Sequence, residues 1–431
     1  MSNKKQRGQF FTVDERLLDL VVSLAGDNPG LTLEPSSGSG DIMRAMKKAH
    51  PDLPIFGWEL DASVVPQDDE IDVTVGDFFY LAEFESRKFK TIVGNPPFVA
   101  WKNVEDNTKV SAKPIKDAYG DKVNLYLLFI DRCIDLLEDF GQLVFIVPKE
   151  WLYLTSAEPL RQKMLKYGTL SHMVDIGEEK VFPDADIPAL MVFRFEKTPS
   201  RSHKVLTKTG LDEKTPWISK QLTVSHNGLW LVLDDSNNTS GTTISDFFDV
   251  KVGIVSGADK VFNVTHHESL AIFEKEGTVR TFLTTKGHEF FIDVTDIQEE
   301  SKIPESTLNY LLQFKKELAN RKISKFNENN WWKFGAVRNK SLMESDRPRI
   351  YVHAKTRNQE PFFIDDEVTY FSGGVICLFL KEEFKNTVKT DEVVNHLNSS
   401  DFRSLCEALG ITTNNKVSFQ PSTLGEIPFS L

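Results

Sequence analysis

Between residues 13 and 196, short apolar runs alternate with longer segments whose apolar residues recur at helical spacing. That rhythm restricts the fold sharply, because strands alternating with helices build a parallel sheet covered on both faces. VDERLLDLVVSLAG (13–26) predicts a helix that stops at a glycine. LTLEP (31–35) reads as a short buried strand that runs through SSGSGD into a helix from Ile42 to His50. PIFGWELD (54–61), IDVTVGD (71–77) and KTIVGN (90–95) are the next strands. NLYLLFIDRCIDLLED (124–139) predicts an amphipathic helix closed by Phe140-Gly141, and GQLVFIVP (141–148) a hydrophobic strand. TLSHMVDI (169–176) and ALMVFRFE (189–196) add two more. The fold class expected is α/β, a Rossmann-like doubly wound sheet.

Ligands of such sheets sit outside the carboxyl ends of the strands. The unusual residues fall there. Strand one ends at Glu34-Pro35-Ser36-Ser37-Gly38-Ser39-Gly40, strand two at Glu59-Leu60-Asp61, strand three at Gly76-Asp77-Phe78-Phe79, and strand four at Asn95-Pro96-Pro97-Phe98. A glycine-rich turn or an aspartate after a strand is by itself a turn or a helix cap. Four such ends in succession point to a nucleoside-type cofactor lying across the edge. Ser36, Gly38 and Gly40 belong to a loop whose backbone can approach a ligand closely. No Lys-Ser/Thr follows it, which excludes a phosphate P-loop. Glu59 suits the two hydroxyls of a ribose. Asp77 suits an adenine amino group, with Leu60 and Phe78 against the ring faces. S-adenosylmethionine fits better than NAD, since SGSGD lacks the third glycine of the dinucleotide fingerprint.

At this point a resemblance enters. GQFFT (8–12), LEPSSGSGD (33–41), GWELD (57–61), GDFF (76–79), GNPPF (94–98), NLYLLFID (124–131) and GQLVFIVP (141–148) stand in the order found in the amino-methyltransferases of DNA. A GQFFT-type element placed first resembles the gamma class, the TaqI type, which makes N6-methyladenine. The similarity covers about residues 8–200 and touches VGIVSGADKVF (252–262), which is similar to the start of the recognition domain in that class. The resemblance implies methyl transfer to an adenine of double-stranded DNA, a functional partnership with a cognate restriction endonuclease, and a prokaryotic cytoplasmic protein working at the nucleoid. It also implies residue roles. Thr12 would bind the methionine carboxylate of the cofactor, and Glu34 would lie near its amine. Phe129 would pack on its adenine, although Phe129 also belongs to a plain core stripe with Leu125, Leu128 and Leu136. Phe182, in KVFPDADIP (180–188), would touch the target base.

The NPPF motif has a chemical reason. An exocyclic adenine amine is a poor nucleophile because its lone pair is delocalised into the ring. Two acceptors, the Asn95 side-chain oxygen and the Pro96 carbonyl, would draw its hydrogens and push the nitrogen toward a tetrahedral form. Pro96 and Pro97 fix the backbone and bring no competing N–H. Acceptors held in place need no reorganisation during reaction. A base inside a duplex must rotate out to be reached, and Phe98 would stack on it, a contact worth about 1–3 kcal/mol.

Length requires more than one domain. The βα rhythm ends near residue 200, so the expected division is 1–200, a catalytic domain, and 201–431, a mixed α+β target-recognition domain. TPSRSHK (198–204) reads as the linker. The net charge of −12 opposes nucleic-acid binding, but residues 301–357 hold 13 basic against 5 acidic side chains. Local field, not total charge, attracts phosphate. DNA-contact candidates are Lys260, Lys286, Lys325, Lys333, Arg338, Lys355 and Arg357, and WWKFGAVRN (331–339) interleaves aromatic and basic groups. Three well-separated cysteines, Cys133, Cys377 and Cys406, form no metal spacing and read as reduced thiols. The longest apolar runs are too short for a bilayer, and the N-terminus lacks the apolar core of a secretory signal. Three rivals remain: an amino or amide methyltransferase acting on RNA or a protein glutamine, a nuclease fusion, and a non-catalytic DNA-binding module.

Overall fold

The computed structural model describes residues 12–66, 70–177, 179, 181–182, 190–199, 202–225, 228–233, 242–322, 326–409, 411–413 and 416–429. The chain divides into two units, residues 1–238 with 408–414, and residues 239–407 with 415–431.

In the first unit, helix α1 (Glu15–Ala25) starts where the Asp14 carboxylate accepts from Arg16 N and ends at Gly26, with φ +75°. Strands β1 (Thr32–Glu34), β2 (Ile55–Glu59), β3 (Asp72–Val75), β4 (Phe89–Gly94) and β5 (Leu137–Pro148) run parallel in the order β3-β2-β1-β4-β5. Helix α2 (Asp41–Ala49) joins β1 to β2, and α3 (Phe78–Phe84) follows β3. Helices α4 (Asp106–Lys116) and α5 (Leu125–Leu136) lie between β4 and β5. Successive strands move outward in one direction from β1 and in the other from β4. The β1/β4 junction is therefore the topological switch point, where open α/β sheets bind ligands.

Period-two alternation divides the core. Leu143, Phe145 and Val147 of β5 join Phe78, Leu128 and Phe129 in one apolar cluster. Val144 and Ile146 face the other way, into a cluster with Leu17, Val21 and Met43. Beyond β5, strand β7 (Leu190–Lys197) inserts antiparallel between β5 and β6 (Gly168–Gly177), with α6 (Glu158–Tyr167) before β6.

Three expectations need correction. The sheet does not stop at 200. Strands β8 (Lys204–Thr209), β9 (Ile218–Val224) and β10 (Trp230–Leu233) extend it beyond β6 to ten strands among the described residues. β8 and β9 are short and partly polar, so backbone pairing identifies them, whereas β10 is the apolar run WLVL. The helix expected over 124–139 stops at Leu136. Leu137 already pairs with Phe89, and Phe140, at φ +64°, turns the chain instead of closing the helix. Gly141 is needed there because a Cβ would meet the carbonyls of Glu138, Phe89 and Lys90 at 2.9–3.1 Å.

The second unit is mixed α+β. Strands β11 (Phe248–Val252), β14 (Arg349–His353), β15 (Phe362–Phe363) and β17 (Val375–Leu380) form an antiparallel sheet in the order β11-β17-β14-β15. Strands β12 (Val279–Thr284) and β13 (Gly287–Ile292) form a hairpin, with β16 (Tyr370–Phe371) parallel to β12. Helices α7 (Asp259–Phe262) and α8 (Glu305–Leu312) pack with them. The third correction falls here. The aromatics of WWKFGAVRN are core, not a nucleic-acid surface. Trp331 and Trp332 are fully buried, and their indole N–H groups donate to Glu300 Oε2 at 2.7 Å and the Ile297 carbonyl at 3.1 Å. No helix among the described residues is long and apolar enough to cross a membrane.

Candidate active site

The loop after β1 is anchored across the switch point. Ser37 N donates to the Trp58 carbonyl at 2.9 Å, and Ser36 Oγ to the Asn95 carbonyl at 3.3 Å. Gly38 and Gly40 have φ +52° and +76°, so the loop turns where other residues would be strained. Glu59, at the end of β2, accepts from Gly38 N at 2.8 Å and Asp61 N at 2.9 Å. The carboxylate thus holds the glycine loop against the second strand.

These loops open on one cavity with about 880 Å³ of space, the solvent at its mouth included. Ser36, Gly38, Glu59, Leu60, Asp77, Phe78, Asn95, Pro97 and Phe129 all line it. Phe78 and Phe129 stack at 4.3 Å with planes 17° apart, and both are buried. Phe129 is therefore core and cavity wall at once. Leu60 is 44% exposed at the opposite end of the scale. Asp77 caps α3 by accepting from Tyr80 N at 3.1 Å, and it also accepts from Thr108 Oγ1 and Ser111 Oγ, both at 2.6 Å. Sequence reasoning missed this wall. Asn103, Glu105 and Thr108 line the cavity from the segment entering α4. The available signal was a pair of hydroxyls, Thr108 and Ser111, at i,i+3 spacing on one helix face.

The cavity is electronegative. Glu59, Asp61, Asp77 and Glu105 line it. Burial raises the Glu59 pKa despite the backbone N–H groups of Asp61 and Gly38. Behind them Glu34 is 2% exposed, and its Oε2 has no hydrogen-bond partner among the described residues. Burial, then Asp41 and Glu59, hold its carboxyl well above the ordinary range. Such a set repels a phosphate-bearing nucleotide and suits a nucleoside with positive charge. The aromatic slot, the acidic lining and the ribose-type carboxylate fit S-adenosylmethionine on these grounds.

The Asn95-Pro96-Pro97-Phe98 loop leaves β4 at the same point. Asn95 Nδ2 donates to Thr12 Oγ1 at 3.2 Å. Val99 N bonds to the Pro97 carbonyl at 3.1 Å, and Leu125 N to the Val99 carbonyl at 2.8 Å, which fastens the loop to the start of α5. Pro96 is buried, while Asn95, Pro97 and Phe98 are half-buried. Phe98 meets the ring of Tyr126 edge-on at 5.9 Å.

Glu34, Gly40, Pro96, Phe98 and Thr12 do not line the cavity itself. Thr12 is tied to Asn95, and Phe98 packs against both apolar clusters. Phe182 is 4% exposed within the cluster containing Leu17 and Met43. Residues 8–11 of GQFFT and residues 183–189 after Phe182 lie outside the described residues. Among the DNA candidates, Lys260 and Lys286 share one pocket. Lys333 is half-buried and donates to Gln298 Oε1 at 2.8 Å, whereas Arg338, Lys355 and Arg357 are exposed. Lys325 lies outside the described residues.

A central parallel sheet with an antiparallel β7, an acidic cavity at its switch point and an Asn-Pro-Pro-Phe loop on that cavity fit an α/β methyltransferase, and the likeness to known proteins supports a DNA methyltransferase. Residues 55–182 match the Eco57I restriction-modification methylase family. The chain is 24% identical to the Type II methyltransferase M.HindII of Haemophilus influenzae, over 99% of this chain and 90% of that protein. It is 32% identical to the Type II methyltransferase M.TthHB8I of Thermus thermophilus, over 42% of this chain and 43% of that one. Among solved structures, the Type IIL restriction-modification enzyme MmeI in complex with DNA superposes with a TM-score of 0.66 at 11% identity, covering 98% of this chain and 68% of that one. The fold class expected from the sequence matches these neighbours.

Proposed function

We propose that the protein transfers a methyl group from S-adenosylmethionine to N6 of an adenine rotated out of duplex DNA, and that the mark protects the site from a cognate restriction endonuclease. One observation carries this reading: Asn95 and Pro97 line the same cavity as Glu59, Asp77 and Phe129. Donor and acceptor chemistry therefore share one chamber. The likeness to M.HindII along nearly the whole chain supports it.

Bound there, S-adenosylmethionine supplies a methyl group on a positively charged sulfur. Glu59 takes the ribose hydroxyls, Asp77 the adenine amino group, and Phe78 with Phe129 the ring. Ser36, Gly38 and Gly40 shape the loop around the methionine portion, with Glu34 behind it. Asn95 Oδ1 and the Pro96 carbonyl accept the two hydrogens of the target amine and localise its lone pair. Pro97 keeps the loop rigid, and Phe98 stacks on the extruded base. The amine proton leaves after the methyl group arrives, so no strong base is needed. The first unit does this chemistry. The second grips and reads the duplex, with its cations on the phosphates.

The test is expression in a host lacking adenine methylation, with modified bases mapped by single-molecule sequencing. N6-methyladenine at one short motif is expected, and Asn95→Ala abolishes it. Folded protein that binds S-adenosylmethionine but leaves DNA unmodified overturns the reading and turns attention to RNA or protein acceptors.

A further inference from the structure

The second unit carries an open, solvent-filled depression lined among others by Lys260, His266, His267, Lys286 and His288. Two separate elements bring the cations together. Lys260 lies on α7, and Lys286 sits at the tip of the β12–β13 hairpin. Backbone bonds fasten the loop after α7 to that hairpin: Val264 N donates to the Phe290 carbonyl at 2.8 Å, and Phe290 N to Thr265 Oγ1 at 2.8 Å. The wall is thus preformed.

Among the described residues, neither ammonium has a hydrogen-bonding or ion-pair partner. This contrasts with Lys302, Lys340, Lys385 and Lys389 of the same unit, each paired with a carboxylate. The acid in the pocket wall, Glu289, makes no ion pair with either. Both oxygens of Glu289 are engaged, by Asn263 Nδ2 at 2.9 Å and Thr284 Oγ1 at 2.7 Å. His288 is held by Asp365 at 2.6 Å. His267 accepts from Ser269 N through Nδ1, which makes its other ring nitrogen a donor. No group among the described residues has the make-up of a metal site. The donors left over are two unpaired cations and the second ring nitrogen of His267, a set complementary to a phosphate.

We propose that this pocket seats a backbone phosphate of the substrate duplex, resting on the reading of the protein as a DNA methyltransferase. The seat positions the duplex and carries no sequence information, as phosphate contacts do. In a chain of net charge −12 it concentrates positive potential where the field of the whole molecule does not.

The test uses full-length protein and a labelled duplex containing the modified motif, with affinity measured by fluorescence anisotropy over a range of salt. Lys260→Gln with Lys286→Gln is expected to weaken binding about tenfold at low salt and to flatten the slope of log K against log salt by about one to two. Preference for the motif over random duplex persists, and so does the melting temperature. Unchanged affinity and slope overturn the seat. So does loss of inorganic pyrophosphate or AMP binding, followed by calorimetry, with duplex binding intact, since the site would then serve a small phosphate. Failure of the wild type to bind any duplex instead removes the DNA reading on which the seat rests.

Discussion

Asn95 Nδ2 lies 3.2 Å from Thr12 Oγ1, which joins the segment before α1 to the loop at the end of β4. In this arrangement the hydroxyl accepts from the amide nitrogen, and the other end of the Asn95 side chain is the acceptor oxygen. The same hydroxyl keeps a hydrogen of its own to donate, so a contact with the cofactor carboxylate is compatible with it. We expect Thr12 to act as a positioning residue for the amide. Thr12→Val should lower kcat about tenfold, equivalent to about 1.4 kcal/mol, with a smaller change in the KM for S-adenosylmethionine. Thr12→Ser should restore kcat. A rise in cofactor KM with kcat unchanged would show that Thr12 serves the cofactor alone.

Glu34 gives a pH prediction. Its carboxyl is raised well above the ordinary value of 4.5, first by burial and then by Asp41 and Glu59. The folded state therefore holds a proton that the unfolded chain has already released. Stability is highest below the unfolded pKa and falls as pH rises through the folded one. Glu34→Gln, which cannot ionise, should flatten that fall. Melting temperatures from about pH 5 to pH 8 measure it, and a variant whose curve still parallels the wild type would refute the assignment.

Gly253 opens the segment that resembles the start of a recognition domain. A Cβ there would sit 2.2 Å from the Ser372 carbonyl oxygen and 2.3 Å from that of Phe371, both rigid backbone. Ile254 N donates to the same Phe371 carbonyl at 2.9 Å. Gly253→Ala should cost about 1–3 kcal/mol, as overpacking does. Urea unfolding should register the loss as a lower midpoint, while cofactor binding by the folded first unit persists. An unchanged midpoint would mean that the two segments part easily.

Much of the first unit was legible because β1, β2, β4 and most of β5 are buried on both faces. LVFIV has no polar residue to spare, and Asp14 and Gly26 mark the ends of α1 chemically. The cavity was legible for a related reason: Glu59, Asp77 and Asn95 are polar groups directly following apolar strands. TVSHNGLWLVL (223–233) reads as β-like in sequence, but its place in the first sheet did not show, and β8 escaped because a short strand such as KVLTKT owes its place to the neighbour it bonds with. WWKFGAVRN misled because buried tryptophans with bonded N–H groups look, in sequence, like exposed ones.

By itself the sequence determined the alternating sheet, the acidic and glycine-bearing strand ends and the place of the Asn-Pro-Pro-Phe loop, because local periodicity and residue type carry that information. Only the tertiary structure decided that Thr12 holds Asn95, that Thr108 and Ser111 hold Asp77, and that Lys260 and Lys286 face one pocket. Each pair lies tens of residues apart. What joins its members is backbone pairing and packing between elements, which no local pattern records.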